Sequence, residues 1–502
     1  MRQPRHRPPS GRQHDEELWP KRQPGRLVVV SNRLPVTLVH DDIVPASGGL
    51  VTAMSPVLRA CKGRWIGWLG AHRAKHTAAL LRDATRTLGF GVEGISLTRQ
   101  DVEGYYAGFS NEILWPLFHG FLSLCRFEPG SWHSYRKVNR KFARAVANTT
   151  DPADYVWVHD YHLMMVAHEM RKLASERRMG FFLHIPFPPR DTFIKLPWRD
   201  EVITALLAFD LLGFQTVRDC RNFVHCVRTL VPHVQAAAHG EQWMLTVKDR
   251  QVRCGAFPIS IDYRDFVERA QNDEVSDAVA TVRELLPHRK LILGIDRLDY
   301  SKGIPNRIQA FGNALRRHPE LRRRTTFIQI VVPSRTLVAD YKTLKDEIDR
   351  LVGAVNGEFT ETGWIPIHYS YRSLAPTELL AYYRACEVAL ITPLQDGMNL
   401  VAKEFCACCL NEDGVLVLSE FAGAATSLGD GALLVNPFDI DATADAIHRA
   451  CTMPSERRRT AMRAMRKSIE HNDIYQWVRT FLRAAMPDAG TAIDGGSTRS
   501  AA

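Results

Sequence analysis

The sequence predicts an α/β protein built from two doubly wound parallel sheets. Three observations lead there. Short apolar runs without polar alternation recur along the chain, as strands covered on both faces require. Helix-like segments separate these runs and give a βαβα rhythm. That rhythm occurs twice, with a joint near Cys254–Pro258 (CGAFP), in a chain of 502 residues that is too long for one core.

The expected strands of the first half are Leu27–Val30, Tyr155–Val158, Phe181–Ile185 and Leu211–Phe214. Those of the second half are Leu291–Ile295, Thr326–Val332, Val388–Thr392 and Val415–Leu418. Helices are expected at Leu50–Ala60, Pro305–His318, Asp340–Val352 and Thr377–Ala385. Residues 1–26 are polar, charged and proline-containing and are expected to be a disordered basic tail; residues 488–502 (DAGTAIDGGSTRSAA from Asp488) are expected to be a second disordered tail. The domains between them are expected at 27–256 and 257–468, with a last helix at 469–487.

Composition narrows the function. Hydrophobic content of 45% and charged content of 24% are those of a soluble globular protein. The net charge of +10 gathers in the first 26 residues and in clusters such as Arg322–Arg324 and Arg457–Arg459. No basic face with interleaved aromatics results, so a nucleic-acid partner is not expected. None of the 10 cysteines forms a CxxC pair, and Cys406, Cys408 and Cys409 crowd one stretch, as reduced core thiols do. The N-terminus has no apolar signal region, and no apolar run is long enough for a bilayer. A cytoplasmic protein acting on small molecules is expected, with no membrane partner and with self-association left open.

In doubly wound sheets, ligands bind beyond the carboxyl ends of the strands. Seven polar clusters fall there. VVVSNRLPV delivers Arg33, and Gly48 and Gly49 follow before a helix; the spacing is not GxGxxG, and alone this reads as a solvated Arg beside turn glycines. RWIGWLG and GYYAGFSNEILWP supply Trp65, Trp68, Tyr105, Tyr106 and Trp115, which either stack on sugars or pack the core, the commoner fate. VWVHDYHL holds His159, Asp160 and His162 without a complete metal-ligand set, so Asp160 reads as a hydrogen-bonding group. His184 stands at a strand end against Pro186, Pro188 and Pro189.

GIDRLDYSKGI carries Arg297, Asp299 and Lys302 out of a strand, and VVPSR does the same for Arg335. The planar fork of arginine suits a phosphate monoester. ITPLQDGMNLVAKEF places Asp396 and Gly397 in a loop before a helix that begins near Asn399; its amides can cradle a diphosphate. Glu404 lies in mostly apolar surroundings and needs a partner, such as ribose hydroxyls. FDID could pass for a metal-binding DxD, but it immediately precedes a helical pattern, so Asp439 reads as part of a helix cap.

Taken together, SNRLPV, YYAGFSNEILWP, VHDYHL, HIPFP, RLDYSKG and DGMNLVAKE, in that order between about Leu27 and Leu482, resemble the trehalose-6-phosphate synthases, retaining GT-B glycosyltransferases of family 20. The resemblance implies two Rossmann-like domains facing each other across a cleft. The N-terminal one would bind glucose 6-phosphate, the C-terminal one a nucleoside diphosphate glucose, and the last helix would cross back to the first domain. The reaction implied gives α,α-trehalose 6-phosphate.

The resemblance also assigns roles. Arg297 and Lys302 match the donor-diphosphate cations, and Glu404 the ribose contact. Asp396 matches the group on the donor glucose hydroxyls, with backbone at Gly397, Met398, Asn399, Leu400 and Val401. Gly48 and Gly49 match the loop that closes on the donor. Arg33, Tyr106, Trp115 and Arg335 match the acceptor-phosphate grip, with Trp68 nearby. Asp160 and His184 match the groups at the reacting sugars. No cofactor and no catalytic metal is implied. Retention is implied to run by front-face attack, the leaving phosphate taking the acceptor proton. Asp299 is expected to order its turn or pair with a neighbouring cation, without a catalytic role.

Gln395 replaces the Arg common in the family, and YSYRSL at Tyr369–Leu374 varies from some relatives. No downstream acidic phosphatase motif is expected. The nearest alternative is a relative with another phosphorylated acceptor, a pseudo-glycosyltransferase of aminocyclitol biosynthesis or a glucosylglycerol-phosphate synthase. A non-catalytic homologue would have lost Arg297, Lys302, Asp396 or Glu404, and an NAD dehydrogenase needs a GxGxxG that is missing.

Overall fold

The computed structural model describes residues 25–39, 42–45, 49–70, 77–335 and 339–486. Gly48 and nearly all of both expected tails lie outside the described residues. The first lobe contains β1 (Leu27–Arg33), β2 (Val36–Val39), β3 (Asp42–Pro45), β4 (Arg64–Trp68), β5 (Gly91–Ile95), β6 (Tyr155–His159), β7 (Met179–Phe182), β8 (Leu211–Phe214), β9 (Gln235–His239), β10 (Gln242–Val247) and β11 (Arg250–Ala256). β2 and β3 form a separate hairpin, and the other nine make one sheet in the order β5-β4-β1-β6-β7-β8-β11-β10-β9. It is parallel except for the antiparallel ribbon β9–β11 at one edge. The second lobe contains β12 (Lys290–Arg297), β13 (Thr325–Val332), β14 (Ile367–Tyr371), β15 (Val388–Ile391), β16 (Val415–Ser419) and β17 (Leu433–Val435). These six strands form an all-parallel sheet in the order β14-β13-β12-β15-β16-β17.

Burial explains why the central strands read as unbroken apolar runs. β1, β6, β8 and β12 are buried along almost their whole length, because helices cover both faces of each sheet. The strand expected at Phe181–Ile185 is displaced to Met179–Phe182. Pro186 cannot donate a ladder hydrogen bond and restrains Ile185, so the chain leaves the sheet early and His184 lies two residues beyond the strand. The helix expected at Asp340–Val352 runs on to Phe359.

The two lobes share one apolar cluster. It runs from Leu27 and Trp157 in the first sheet, through Trp477 and Phe481, to Leu293 and Leu418 in the second. Trp477 and Phe481 belong to the helix Ile474–Ala485, which follows the helix Ser455–His471 of the second lobe and packs on the first. The Phe481 ring stacks on Trp157 at 4.1 Å, and Trp477 Nε1 donates to the Phe257 carbonyl at 3.1 Å. Arg253 donates to the Ala484 carbonyl at 2.6 Å. The chain therefore passes between the lobes twice, near 257–262 and again near 472–474, and Ile474 N donates to Ile261 O at 3.0 Å where the passages meet.

Candidate active site

The carboxyl ends of β1, β6 and β12 point into the space between the lobes. At β1 the turn is pinned from three sides. Ser31 Oγ donates to Arg33 O at 2.6 Å, Trp65 Nε1 donates to Ser31 Oγ at 2.8 Å, and Tyr105 OH donates to Asn32 Oδ1 at 3.1 Å. Arg33 is thereby projected from the strand, with its guanidinium 4.1 Å from the Trp68 ring and 5.8 Å from that of Tyr106. Tyr106 lies on a π-helical stretch, Val102–Leu114, a rare winding that recurs at functional sites. Its ring stacks on His162 at 5.8 Å.

Asp160 follows β6 with φ of 75°, a conformation that strains a residue with a side chain. Its amide donates to Phe182 O at 2.8 Å, and its Oδ1 accepts from His184 N at 3.3 Å. Burial pushes the Asp160 carboxyl up to about 6 against the pull of the Tyr161 and His184 amides, Arg335 and Arg297. Burial pulls His184 down to about 3 and also lowers its neighbour His159, so both imidazoles are neutral. Their facing nitrogens, His159 Nδ1 and His184 Nε2, are 3.2 Å apart and share one hydrogen bond.

Beyond β12, Asp299 is a buried crosslink. One oxygen accepts from Ser301 N at 3.0 Å, Ser301 Oγ at 2.8 Å and Trp115 Nε1 at 3.3 Å. The other accepts from Arg335 at 2.8 Å and Tyr341 OH at 3.1 Å. Burial alone would raise its pKa, but Arg335, Lys302 and Arg297 reverse this and hold it down at about 2. Arg335 lies 3.7 Å over the Trp115 ring and donates to Tyr161 OH at 3.3 Å, so Asp299 anchors the very cation expected at the acceptor phosphate.

The expected residues fall into two groups. Arg33, Tyr106, Trp115, Asp160, His184, Arg297 and Arg335 line one cavity of ≈ 420 Å³. Trp68 supports Arg33 from below rather than lining it. Gly49 opens the helix Gly49–Ala60, whose Leu50 and Val51 reach the cavity wall. Lys302, Asp396 and Glu404 are not on that wall. Lys302 Nζ is 2.5 Å from Asp396 Oδ2, which also accepts from Asn399 Nδ2 at 3.1 Å. Asn399 caps the helix Leu400–Cys408 by accepting from Ala402 N, which fixes Met398, Leu400 and Val401 at the helix entrance. Glu404, further along this helix, accepts from the buried Tyr383 hydroxyl at 2.7 Å, and burial raises its pKa.

The two groups abut at Gly397. A Cβ there would come within 2.2 Å of the His184 carbonyl oxygen, so only glycine permits this approach. Asn32, Tyr161 and His162 lie inside sequence motifs (SNRLPV and VHDYHL) that assign them no role, and nothing in the pattern of Asp340–Val352 marks Tyr341. Asp439 caps the helix Ile440–Thr452 by accepting from Ala442 N at 2.9 Å, as the helical pattern after it implies.

Asp160 sets an expected pH dependence. Because its pKa is raised, it protonates below about pH 6 and is a full acceptor only above it. The acceptor kcat/KM should fall by about tenfold per pH unit on the acid side. Asp160→Asn should abolish that limb, leaving only titration of the substrate phosphate; an unchanged acid limb in the variant would separate Asp160 from it.

The family model for Glycosyltransferase family 20 matches residues 25–486. The chain belongs to glycosyltransferase family 20. This family 20 chain is 44% identical over 470 residues to the bifunctional trehalose-6-phosphate synthase/phosphatase of Thermoproteus tenax, covering 91% of the chain and 63% of that longer protein. It is 40% identical over 479 residues to the trehalose-6-phosphate synthase of Mycolicibacterium smegmatis, covering 93% of the chain and 94% of the relative. Among solved structures it is similar to a UDP-forming α,α-trehalose-phosphate synthase of Burkholderia xenovorans in complex with glucose-6-phosphate, with a TM-score of 0.83, 36% identity and coverage of 92% of this chain and 100% of that one. A trehalose-6-phosphate structure from E. coli bound with UDP-2-fluoro glucose also matches, with a TM-score of 0.83, 35% identity and coverage of 92% and 99%. The fold of this family 20 chain is GT-B, two Rossmann-like domains across a cleft.

Proposed function

We propose that this chain moves glucose from UDP-glucose to glucose 6-phosphate, giving α,α-trehalose 6-phosphate and UDP. One observation carries the reading. Arg33, Arg297 and Arg335 line the same cavity, with Asp160 as the only carboxylate among its described lining residues. Arg33 and Arg297 have no ion pair to any described residue. Such an excess of fixed positive charge suits two phosphorylated ligands. Arg33 and Arg335 take the acceptor phosphate, and Asp160 accepts from an acceptor hydroxyl. Arg297, Lys302 and the helix entrance at Asn399 meet the donor diphosphate, and Asp396 orients the donor sugar.

The anomeric carbon–phosphate oxygen bond breaks as the acceptor oxygen bonds to the same face, and the acceptor proton passes to the leaving phosphate. Charge grows on that phosphate in the transition state, and Arg297 and Lys302 are the cations assigned to offset it. With these cations and the helix amides in place, the reaction needs no catalytic metal. His184, held neutral, hydrogen-bonds the donor sugar and does not serve as base. Ten cysteines without a disulfide suit a reducing cytoplasm, and no helix among the described residues is long and apolar enough to cross a membrane.

The test is a panel of UDP-, GDP- and ADP-glucose with glucose 6-phosphate, reading nucleotide release and disaccharide phosphate together. One trehalose 6-phosphate per UDP is expected. Release without disaccharide phosphate, or equal turnover with unphosphorylated glucose, would overturn the proposal. In the same assay Arg33→Ala should raise the KM for glucose 6-phosphate by about 10- to 100-fold, the worth of one charged hydrogen-bond donor. Arg33 is the cleaner choice for this, since removing Arg335 also strands the buried Asp299.

A further inference from the structure

Lys403 is 3% exposed on the helix Leu400–Cys408, one turn beyond the Asn399 cap and next to Glu404. No carboxylate among the described residues offsets its charge, and burial alone pulls its pKa down to about 7. An amine kept dry without a counter-charge lowers stability, so its placement calls for another account. Its Nζ donates to the Ile259 carbonyl at 2.8 Å, on the first passage of the chain between the lobes.

That contact is the first of three in series. Ile259 N donates to Gln215 Oε1 at 3.0 Å, and Gln215 Nε2 donates to the His184 carbonyl at 3.4 Å. Gln215 is 1% exposed and directly follows β8, so both ends of its amide are used inside the protein. His184 is held on its other side as well, since its N donates to Asp160 Oδ1 at 3.3 Å. The His184 carbonyl oxygen is also the atom that Gly397 approaches. One oxygen beside the cavity therefore meets the second lobe twice, directly at Gly397 and through Gln215, Ile259 and Lys403. A buried polar series of this kind specifies one arrangement of its parts, because a shift at any link strands a donor or an acceptor.

We propose that Lys403 and Gln215 are positioning residues, which through the Ile259 peptide hold the helix carrying Asn399 and Glu404 in register with His184. Neither touches a substrate. Lys403 fixes the helix against the passage between the lobes, and Gln215 carries that position to the His184 backbone. The inference rests on the reading of this helix as the donor site and of His184 as a neighbour of the reacting sugars. On that reading the series sets the donor over the acceptor, a placement to which transfer rates are steeply sensitive.

The experiment compares Lys403→Met, Gln215→Met and the double variant of the full chain. Methionine keeps most of the length of both side chains and removes their hydrogen bonds. In place of Lys403 it also removes a buried amine, so a melting temperature close to or above that of the unaltered chain is expected. Each single variant should lower kcat with UDP-glucose and glucose 6-phosphate by about tenfold. The KM for glucose 6-phosphate should stay unchanged, because Arg33 and Arg335 are untouched. The double variant should lose no more than either single one, as links of one series do. Amide hydrogen exchange in the segment Leu183–Phe187 should quicken in Lys403→Met, although Lys403 belongs to the other lobe. That readout needs no transfer, so it separates failure of the series from failure of the proposed reaction. Should Gln215→Met not fold, Lys403→Met alone decides. Unaltered exchange at Leu183–Phe187 in Lys403→Met, or losses that multiply in the double variant, would overturn the proposal.

Discussion

Arg297→Ala is expected to lower kcat by about 10²- to 10³-fold, the effect of deleting one fixed donor aimed at a developing oxyanion. The loss belongs in kcat because the charge it meets is largest in the transition state. Arg297 makes this a clean measurement. It is exposed at the end of β12 and pairs with no described carboxylate, so its removal strands nothing. Lys302 differs: its removal leaves the half-buried Asp396 without its cation and with only the Asn399 amide as donor, mixing catalysis with stability. Steady-state kinetics of Arg297→Ala with a matched circular dichroism spectrum make the check. A folded variant with near-normal kcat would remove Arg297 from the diphosphate site.

Gly397→Ala is expected to lower kcat/KM by about 100-fold, the penalty for displacing reacting groups by about 1 Å. The added Cβ would meet the His184 carbonyl oxygen at 2.2 Å and the Ile185 Cα at 3.1 Å, all of it backbone that cannot rotate away. The adjoining loop is equally tight, since a Cβ on Gly423 would approach the Gly397 carbonyl oxygen to 1.9 Å. The lobes must separate or the Asp396 loop must shift; either moves the donor cluster from Asp160 and His184. Gly353→Ala is the control: its Cβ meets nothing within 4 Å, and its helical setting favours alanine. Equal loss in both variants, or none at Gly397, would refute the close-approach argument.

The buried parallel strands were legible because burial on both faces leaves only apolar residues, as at Leu211–Phe214, where reading and structure coincide. Strands at the margins were not. The ribbon β9–β11 is largely exposed at its edge, and QAAAH carries no strand signal of its own. β4 was read as an aromatic cluster because its tryptophans dominate five residues. In the site, local motifs announced Arg33, Arg297 and Asp396, since each leaves a strand within a recognisable word. The network of Asp299, Trp115, Arg335 and Tyr341 was hidden because it joins four segments that meet only in space. Asp299 is expected to order its turn or to pair with a cation; it does both at once, linking the turn after β12 to Arg335.

The double passage of the chain between the lobes has a mechanical consequence. The passages at 257–262 and 472–474 lie side by side and are tied by Ile474 N to Ile261 O and by Tyr475 OH to Asp262 at 2.6 Å. A body held at two neighbouring points can swing about the line through them, but it resists sliding and twisting. The lobes thus have a hinge with a defined axis. Gly397 rests against the His184 carbonyl on the far side of that axis, so the paired crossings fix which backbone of the second lobe meets that of the first.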